Sequence, residues 1–327
     1  MPPTPDVRPP APRLGLRARW RRSAAGRRAT QVRRVLAAPV ELFRRRAAAG
    51  EYLAVHPPAL HLGEDGFARF EPGALPGLDS VLRVACARRA ERQPILERVR
   101  AGRTGAKKIT LDLFGDEFLA VHDELVATVL QDAWFGPVVE YLGTVPFLAR
   151  ITLAHSAPGP AGEPPVYHQR FHLDNDDTRH VKLYVHAHDV GMEHGPVAFL
   201  PARASERVLA ALAREGHSRA ADTTYDDEDV FRHASRDELV TVTGPAGSGV
   251  FADLSRCLHY GSRVERGRER AVLVVEFLRY HRLHENSTNQ FAPPRVELDR
   301  VRRMLLTPPK RYPRGHFLGD LARELGP

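Results

Sequence analysis

The sequence predicts a mostly β protein with flanking helices, whose strands form a sandwich or barrel. Three observations support this fold class. After Gly143 the chain is rich in short β-branched and aromatic runs, turn residues separate these runs, and the preceding region shows the apolar spacing of helices. Many short strands joined by turns are typical of a sandwich or barrel, so the helices are expected to cover the outside of a sheet.

Helices are predicted before the strands and once between them. In residues 78–101 and 116–131, apolar side chains recur three and four positions apart, and Gly or Pro lies near the ends. Residues 202–214 have the same character. The strands are predicted at residues 146–156, 181–190, 196–200, 250–254 and 271–278.

The chain is predicted to consist of a basic arm and one main domain. The arm covers residues 1–50 and the main domain residues 51–327. Within the main domain we expect helical support at 78–142, a β core at 143–280 with an insertion at 203–247, and a C-terminal extension at 281–327. Insertions between barrel strands commonly shape the mouth of a pocket, so 203–247 is predicted to be a substrate lid.

The arm carries most of the positive charge of the chain. The chain as a whole is +8, while residues 1–50 alone hold 13 Arg against Asp6 and Glu41 and are therefore +11. The remainder is −3, which argues against a nucleic-acid-binding main domain, because such a domain carries its positive field around the active cleft.

The structure of the arm is predicted in two parts. Residues 1–15 contain six prolines and are expected to be disordered. Residues 17–49 are compatible with a short basic amphipathic helix interrupted at Pro39. A solvated arm or packing strap is favoured over contact with a membrane surface or a partner.

Cysteine content and hydropathy bear on the compartment. Cys86 and Cys257 are the only cysteines and lie far apart, which gives neither a disulfide framework nor a zinc-ribbon spacing. A reducing cytoplasm fits best. No window approaches the run of about 18 uncharged apolar residues that a spanning helix needs, so a soluble protein is expected. Composition does not indicate the oligomeric state.

Two sites place an acid two residues after a histidine, which is one way to build a metal site. His122 and Glu124 lie in a predicted helix, where residues two apart point about 200° from each other. His172 and Asp174 lie instead in the segment YHQRFHLDNDD, a strand end or turn, in which residues two apart face the same way. His172 and Asp174 are therefore the predicted metal-chelating pair.

A distant histidine is needed to complete the site. Iron(II) oxygenases typically use two imidazoles and one carboxylate on one face of the metal, which leaves positions for a cosubstrate and O2. His259 is preferred because it follows the strand GVFADL and precedes a Tyr-Gly-Ser turn. The competing histidines lie beyond the last core strand or within a strand: His281, His284, His186 and His188.

An anionic cosubstrate requires a cation inside the barrel, and Arg270 is the predicted one. It begins the run RAVLVVEFL, which is typical of a buried strand on which a charge is costly without a partner. The planar guanidinium pairs two ways with a carboxylate. An ordinary ion pair with Glu276 is the alternative. The arginines in the preceding polar turn are expected to be solvated.

Together these segments resemble the phytanoyl-CoA dioxygenase-like family of Fe(II)/2-oxoglutarate oxygenases. The resemblance covers roughly residues 141–278 and depends on FHLDNDD, VKLYVHAHDV, EHGPVAFLP, and LHYGS followed by RERAVLVVEF. It implies a double-stranded β-helix (jelly-roll, cupin-like) core, with His172, Asp174 and His259 as catalytic metal ligands and Arg270 as the cosubstrate arginine.

The resemblance also implies a reaction. The expected cofactors are Fe(II), 2-oxoglutarate as cosubstrate, and O2, and the expected products are succinate, CO2 and a small organic molecule hydroxylated at a C–H bond. Related iron halogenases replace the metal carboxylate with a small residue, so Asp174 favours hydroxylation or a similar oxidation.

Further cosubstrate contacts are predicted from strand position. Lys182 and Tyr184 share the polar face of one strand, although a structural salt bridge is an equal alternative for Lys182. Thr152 lies on a predicted inner strand and Ser262 three residues after His259, so either hydroxyl would reach the cosubstrate. His168 and Gln169 are candidates for the substrate entrance or for plain loop polarity.

Two other classes of function compete with the oxygenase. One is a metal-binding jelly roll without oxygenase activity, such as a cupin-like isomerase or a sugar-binding protein, which keeps the three ligands but needs no Arg270. The other is a scaffold whose basic arm binds a membrane or an acidic partner. The acidic residues 222–229 (DTTYDDED), predicted to form a loop, favour an amine-bearing or sugar-like substrate.

Overall fold

The computed structural model describes residues 39–100, 110–159, 164–217, 224–279, 294 and 297–307. The predictions for residues 1–38, for His281 and His284, and for most of the C-terminal extension lie outside these ranges. The described helices are α1 (Pro39–Val55), α2 (Leu78–Glu91), α3 (Gln93–Arg100), α4 (Gly115–Leu119), α5 (Asp123–Val129), α6 (Asp132–Leu142), α7 (Ala202–Arg214), α8 (Asp227–Phe231) and α9 (Arg300–Leu306).

The strands form two antiparallel sheets. They are β1 (Phe67–Phe70), β2 (Thr110–Asp112), β3 (Phe147–Ser156), β4 (Phe171–His172), β5 (His180–His186), β6 (Ala198–Phe199), β7 (Thr224–Tyr225), β8 (Val240–Thr241), β9 (Gly249–Ala252), β10 (His259–Tyr260) and β11 (Arg270–Leu278). The larger sheet has the order β1-β9-β5-β11-β3-β2, and the smaller sheet has the order β7-β4-β10-β6-β8.

The two sheets pack face to face. Phe199 of the smaller sheet and Val242, which follows its strand β8, belong to one buried cluster. Val250 and Ala252 of the larger sheet belong to the same cluster. Two packed antiparallel sheets with this strand order form the predicted jelly roll, which is confirmed.

The outer face of the larger sheet is covered by helices. Alternate residues of its central strands, among them Ile151, Leu183 and Leu273, belong to the main buried cluster together with Trp134 and Phe135 of α6. Because successive strand residues point to opposite faces, the residues between them face the smaller sheet. The larger sheet therefore has an apolar outer face and a partly polar inner face.

Strand β11 sets the register of that inner face. It pairs with β3 and β5 along its length, so Val274 lies between Thr152 and Tyr184, and Glu276 lies beside Lys182. At its first residue, Arg270 pairs with Ser156. The polar groups of three strands are thus aligned in rows across one sheet.

Most predicted elements are present, with shifted ends. The helix predicted at 202–214 has those bounds, while the helices predicted at 78–101 and 116–131 are each broken into two. Pro39 was expected to interrupt a helix but is the first residue of α1, where its missing N–H costs no hydrogen bond. The strand predicted at 181–190 ends at His186, and strands β1 and β2 had no predicted counterpart.

The segment proposed as a lid also contributes to the smaller sheet. Residues 203–247 include β7, which pairs with β4, and β8, which pairs with β6. The acidic stretch 222–229 is not a plain loop where it is described, because β7 and the start of α8 lie within it. A short strand flanked by turns carries too little periodicity to be recognised in sequence.

The first described helix is fixed to the β core by one arginine. Arg45 is 1% exposed, and its guanidinium donates hydrogen bonds to the carbonyl oxygens of Val145 (3.2 Å), Pro146 (3.1 Å) and Thr307 (2.6 Å). At least one arginine of the predicted solvated arm is therefore structural. Within the described ranges, no helix combines the length and apolar character that crossing a bilayer requires.

Replacing Arg45 should destabilise the fold. We expect Arg45→Met to lower the free energy of unfolding by about 3 kcal/mol, because the buried carbonyl oxygens of Val145 and Pro146 and the partly buried one of Thr307 lose their donor. Urea unfolding followed by circular dichroism measures this change. The exposed neighbour provides the control, and Arg46→Met should change the free energy of unfolding by less than about 0.5 kcal/mol. Equal effects of the two substitutions would contradict a structural role for Arg45.

Candidate metal centre and anion pocket

The two predicted histidine ligands are neighbours across a strand pair. Strands β4 and β10 pair antiparallel with His172 opposite His259, and their ring centroids are 4.1 Å apart. Directly opposite residues of an antiparallel pair place their side chains on the same face. The register of two short strands thus brings together histidines that are 87 residues apart in sequence.

Asp174 completes the group. Its backbone N–H donates to the carbonyl oxygen of Leu254 at 3.0 Å, which holds the segment after β4 against the end of β9. Its Oδ1 atom lies 3.6 Å from Nε2 of His172 and 3.7 Å from Nε2 of His259. The three potential ligand atoms lie within 4.8 Å of one another, a spacing that one metal ion can span.

Both histidines present a free Nε2 atom. Nδ1 of His172 lies 2.9 Å from the carbonyl oxygen of Arg170, and Nδ1 of His259 lies 3.0 Å from that of Cys257. A carbonyl only accepts, so each Nδ1 carries a proton, and in the neutral form of the ring Nε2 keeps the lone pair that a metal needs. Burial lowers the pKa of His259 to about 3, so this ring is neutral and ready to bind a metal.

Lys182 contacts the metal carboxylate. Its Nζ atom lies 2.7 Å from Oδ2 of Asp174 and 3.5 Å from Oε1 of Glu276. Burial opposes the charges, but the Lys182 ammonium holds the pKa of Asp174 well below its usual range. The salt-bridge alternative for Lys182 is therefore observed, and its contact with a cosubstrate stays a prediction.

Arg270 lies at the other end of the inner face, buried and without an acid. One Nη atom donates to the carbonyl oxygen of Gly195 at 2.6 Å and the other to Oγ of Ser262 at 3.1 Å, while Nε has no partner. In the described part of the chain, no carboxylate lies within 4.0 Å of this guanidinium. Burial lowers the pKa of Arg270 to about 10.

The alternative of an Arg270–Glu276 ion pair is wrong. The carboxylate of Glu276 instead contacts Lys182 and Arg150, the latter at 3.7 Å between Oε2 and Nε. The positive charge of Arg270 is thus unpaired in a buried pocket, which is costly unless a ligand supplies an anion.

Hydroxyl groups surround the guanidinium. Ser262 adopts a left-handed backbone conformation (φ 59°), and its Oγ lies 2.9 Å from Oγ of Ser156 and 3.5 Å from Oγ1 of Thr110. Sequence reasoning found Ser262 but missed Ser156 and Thr110. Ser156 belongs to a predicted strand whose pairing partner was unknown, and Thr110 belongs to a strand that was not predicted.

Thr152 and Tyr184 lie between the two ends of the inner face. They flank Val274 in the larger sheet, and both are half-buried. Burial raises the pKa of Tyr184 to about 12, so the phenol is protonated and able to donate a hydrogen bond. Both side chains remain predicted cosubstrate contacts.

The remaining polar candidates support the Ser262 turn. Nε2 of Gln169 donates to the carbonyl oxygen of Ser262 at 2.9 Å, and Nε2 of His168 lies 3.1 Å from Oγ1 of Thr110. Burial lowers the pKa of His168. These two residues therefore lie beside the Arg270 pocket and not in a simple exposed loop.

The competing histidines are bound by other groups. His188 accepts a hydrogen bond from the N–H of Ala271 at 3.0 Å, and Nδ1 of His186 lies 3.3 Å from Oγ of Ser248. The expectation that His122 and Glu124 point apart is wrong, because their side chains are 2.7 Å apart. His122 precedes helix α5 and lacks helical geometry, and the described residues add no third ligand there.

The acidic residues of the proposed lid are paired with arginines. Asp226 lies 2.8 Å from Arg170, and both carboxylate oxygens of Asp227 accept from Arg263, at 2.6 and 2.7 Å. These pairs join the start of α8 to the segments that carry His172 and His259. They leave less acidic charge for an amine-bearing substrate than the sequence suggested.

No protein-family model and no curated protein sequence matches this chain. Among solved structures it is similar to the epimerase SnoN in complex with Fe3+, alpha ketoglutarate and nogalamycin RO, at 17% identity over 73% of this chain and 84% of that chain (TM-score 0.35). HygX from Streptomyces hygroscopicus with nickel and 2-oxoglutarate bound is 14% identical over 66% and 83% (TM-score 0.40). EctD from S. alaskensis in its apoform is 14% identical over 76% and 82% (TM-score 0.41). At such low identities and scores, we draw the function from the site geometry alone.

The pocket makes stability depend on pH through His186. Burial, together with the charge of Arg270, lowers the pKa of His186 to about 4 from 6.5. The contribution of neutral His186 to the free energy of unfolding is fully present above pH 6.5. It is lost as the pH falls toward 4, because the unfolded chain binds the proton first. We expect His186→Gln to remove about 2 kcal/mol from the difference in unfolding free energy between pH 7 and pH 5.

Urea unfolding of both proteins at the two pH values measures this effect. The titration of all other histidines is common to the two proteins and cancels in the comparison. The same pH dependence in the variant and the parent protein would contradict a neutral, buried His186.

Proposed function

We propose that this chain is a non-haem iron dioxygenase that uses 2-oxoglutarate and O2 to hydroxylate a C–H bond of a small organic molecule. Its motifs resemble those of the phytanoyl-CoA dioxygenase-like family, and we propose that it is a member of that family. One observation carries the proposal: a two-histidine, one-carboxylate group shares the barrel interior with a buried arginine that has no acid partner among the described residues.

The donor atoms fit Fe(II). Two neutral imidazole nitrogens and one carboxylate oxygen are the ligand set of iron(II) oxygenases, whereas structural zinc sites favour four protein ligands with cysteine. Cys257 is buried and follows the turn after β9, but it belongs to an apolar cluster and does not join the group. His172, Asp174 and His259 are the residues that would hold the metal.

The Arg270 pocket fits the far carboxylate of 2-oxoglutarate. Its guanidinium is desolvated, it donates to the hydroxyl of Ser262, which in turn lies beside that of Ser156, and both Tyr184 and His186 of β5 interact with its charge. A carboxylate that entered would receive charge-assisted hydrogen bonds in a site of low dielectric constant. Tyr184 and Thr152 lie along the path between this pocket and the metal ligands.

Bound iron would supply the activation of O2 coupled to oxidative decarboxylation of 2-oxoglutarate, with release of succinate and CO2. The protein side chains hold and orient the reactants. Arg270 would hold one end of the cosubstrate. The three ligands would hold the iron to which the other end binds. The Asp227–Arg263 pair keeps helix α8 of the proposed lid next to the site, where it would exclude water.

The other classes of function explain less of the site. A cupin-like isomerase or sugar-binding jelly roll needs the three ligands but gives no reason for an unpaired buried arginine. A scaffold with a basic arm needs neither feature. We further propose a small-molecule substrate, no nucleic-acid partner, and a cytoplasmic location, which suits two free cysteines.

Loss of a metal ligand should abolish iron binding. Anaerobic protein with Fe(II) and 2-oxoglutarate is expected to develop a weak visible charge-transfer band, and His172→Ala or Asp174→Ala should weaken Fe(II) binding by about 100-fold or more and remove the band. His122→Ala is the matched control, since it alters the other histidine that is followed by an acid. A band that persists in His172→Ala would contradict the ligand assignment.

Loss of Arg270 should weaken binding of the cosubstrate and leave metal binding unchanged. We expect Arg270→Met to raise the Kd for 2-oxoglutarate about 100-fold, because the bound carboxylate loses its buried cation, while the Kd for Fe(II) stays within about threefold. Calorimetry measures both constants. Arg268→Met, in the exposed turn before β11, should leave both unchanged.

Turnover separates the oxygenase from the other classes. Incubation with Fe(II), 2-oxoglutarate, O2 and a small-molecule extract should yield succinate together with products heavier by one oxygen atom. Binding of metal without succinate under every condition would favour the non-oxygenase jelly roll.

A further inference from the structure

The two oxygens of the Asp174 carboxylate face different groups. Its Oδ1 atom faces Nε2 of His172 and of His259, whereas its Oδ2 atom accepts a hydrogen bond from Nζ of Lys182 at 2.7 Å. A charge-assisted hydrogen bond of this length in a buried site is strong. Only one oxygen of Asp174 is therefore left for the metal group.

The position of Lys182 is fixed by the larger sheet. Lys182 lies opposite Glu276 in the β5–β11 ladder, and its Nζ atom is 3.5 Å from Oε1 of that residue. Glu276 is 2% exposed and is also held by Arg150. A buried carboxylate on one side and Asp174 on the other leave the ammonium little freedom to move.

A second group of potential metal ligands surrounds the same ammonium. Asp174, Asp176 and His180 present ligand atoms within 4.8 Å of one another. Nζ of Lys182 lies 3.6 Å from Oδ2 of Asp176, and Nε2 of the fully buried His180 lies 3.6 Å from Oδ2 of Asp174. The ammonium already provides the positive charge for the two carboxylates of this group.

We infer that Lys182 is a positioning residue, which reserves Oδ2 of Asp174 so that this carboxylate offers the metal a single oxygen. The inference rests on the metal centre of the proposed function. It assigns Lys182 to the metal ligand and not to the cosubstrate. An Asp174 that offered both oxygens would occupy a coordination position that the cosubstrate or O2 requires.

Removal of the ammonium should change the metal centre in two ways. Both oxygens of Asp174 become available, and three carboxylates (Asp174, Asp176 and Glu276) keep, among the described residues, Arg150 and His180 as nearby groups that can carry positive charge. Like charges a few ångströms apart in a buried site repel each other strongly. A divalent ion that binds there therefore gains the electrostatic stabilisation that the ammonium provided. We expect tighter binding of the first ion and a second ion on the vacated group.

Cobalt titration tests the inference without turnover. Co(II) is added to the full chain in the absence of O2, and its visible d–d bands report the ligand set. The parent protein should bind one equivalent. Lys182→Met should bind the first equivalent about tenfold more tightly with altered bands, and should take up a second. Lys182→Arg, which retains the charge, should behave like the parent protein.

A double variant provides a second test in case Lys182→Met alone does not fold. Lys182→Met leaves Glu276 buried with less compensation, whereas Lys182→Met with Glu276→Gln removes both charges of the pair and is expected to fold. Asp174 still lacks its ammonium there, so the altered bands should persist.

The outcomes distinguish this inference from the proposed function. A parent protein that binds no Co(II) at His172, Asp174 and His259 would overturn both. The parent protein and both methionine variants could instead bind one equivalent of Co(II) each, with the same bands and with affinities within about twofold. This result would overturn only the role of Lys182.

Discussion

The antiparallel pairing of β4 with β10 is the constraint on which the site depends. Each strand is two residues long, so the alignment of His172 with His259 cannot come from these strands alone. Strand β10 is also paired with β6, and the N–H of Leu258 donates to Oγ of Ser205, whose hydroxyl donates to the carbonyl oxygen of Leu200. The first turn of helix α7 thereby fixes the register of the two predicted metal ligands.

A second constraint is the separation of charge along the inner face of the larger sheet. At the end that holds Asp174, the acids are compensated by Lys182 and Arg150. At the other end, the described partners of Arg270 are neutral, and burial lowers the pKa of the nearby His186 to about 4. A ligand with a metal-chelating group at one end and a carboxylate at the other, as we propose, would be oriented by this separation before any contact with substrate.

The sequence was sufficient for the parts of the site that local pattern encodes. His172 and Asp174 were identifiable because a strand end places residues two apart on one face, and Arg270 because a charge begins an apolar strand. The helix at 202–214 and the long strands β3 and β11 were predicted for the same reason. Periodicity over many residues is a strong signal.

Features that arise from pairing between distant segments were not predictable. Thr110 and Ser156 reach Ser262 only because β2 and β3 are neighbours in the sheet. Lys182 was assigned to the polar face of its strand, but its ion pairs with Asp174 and Glu276 depend on the register with β11. The two-residue strands of the smaller sheet are too short to carry periodicity, so part of that sheet was interpreted as a lid.

Formal charge was the least reliable guide, because charge acts only where it is uncompensated. The acidic stretch at the proposed lid suggested a cationic substrate, yet Asp226 and Asp227 are paired with arginines. The basic arm suggested a solvated segment or a packing strap, and Arg45, buried on backbone carbonyls, acts as a strap. Arg270 is the opposite case: one residue that contributes little to the net charge has a desolvated guanidinium with no acid beside it in the described part of the chain. Since an anion that binds there would pair with this guanidinium, the proposed cosubstrate would stabilise the native barrel as well as react in it.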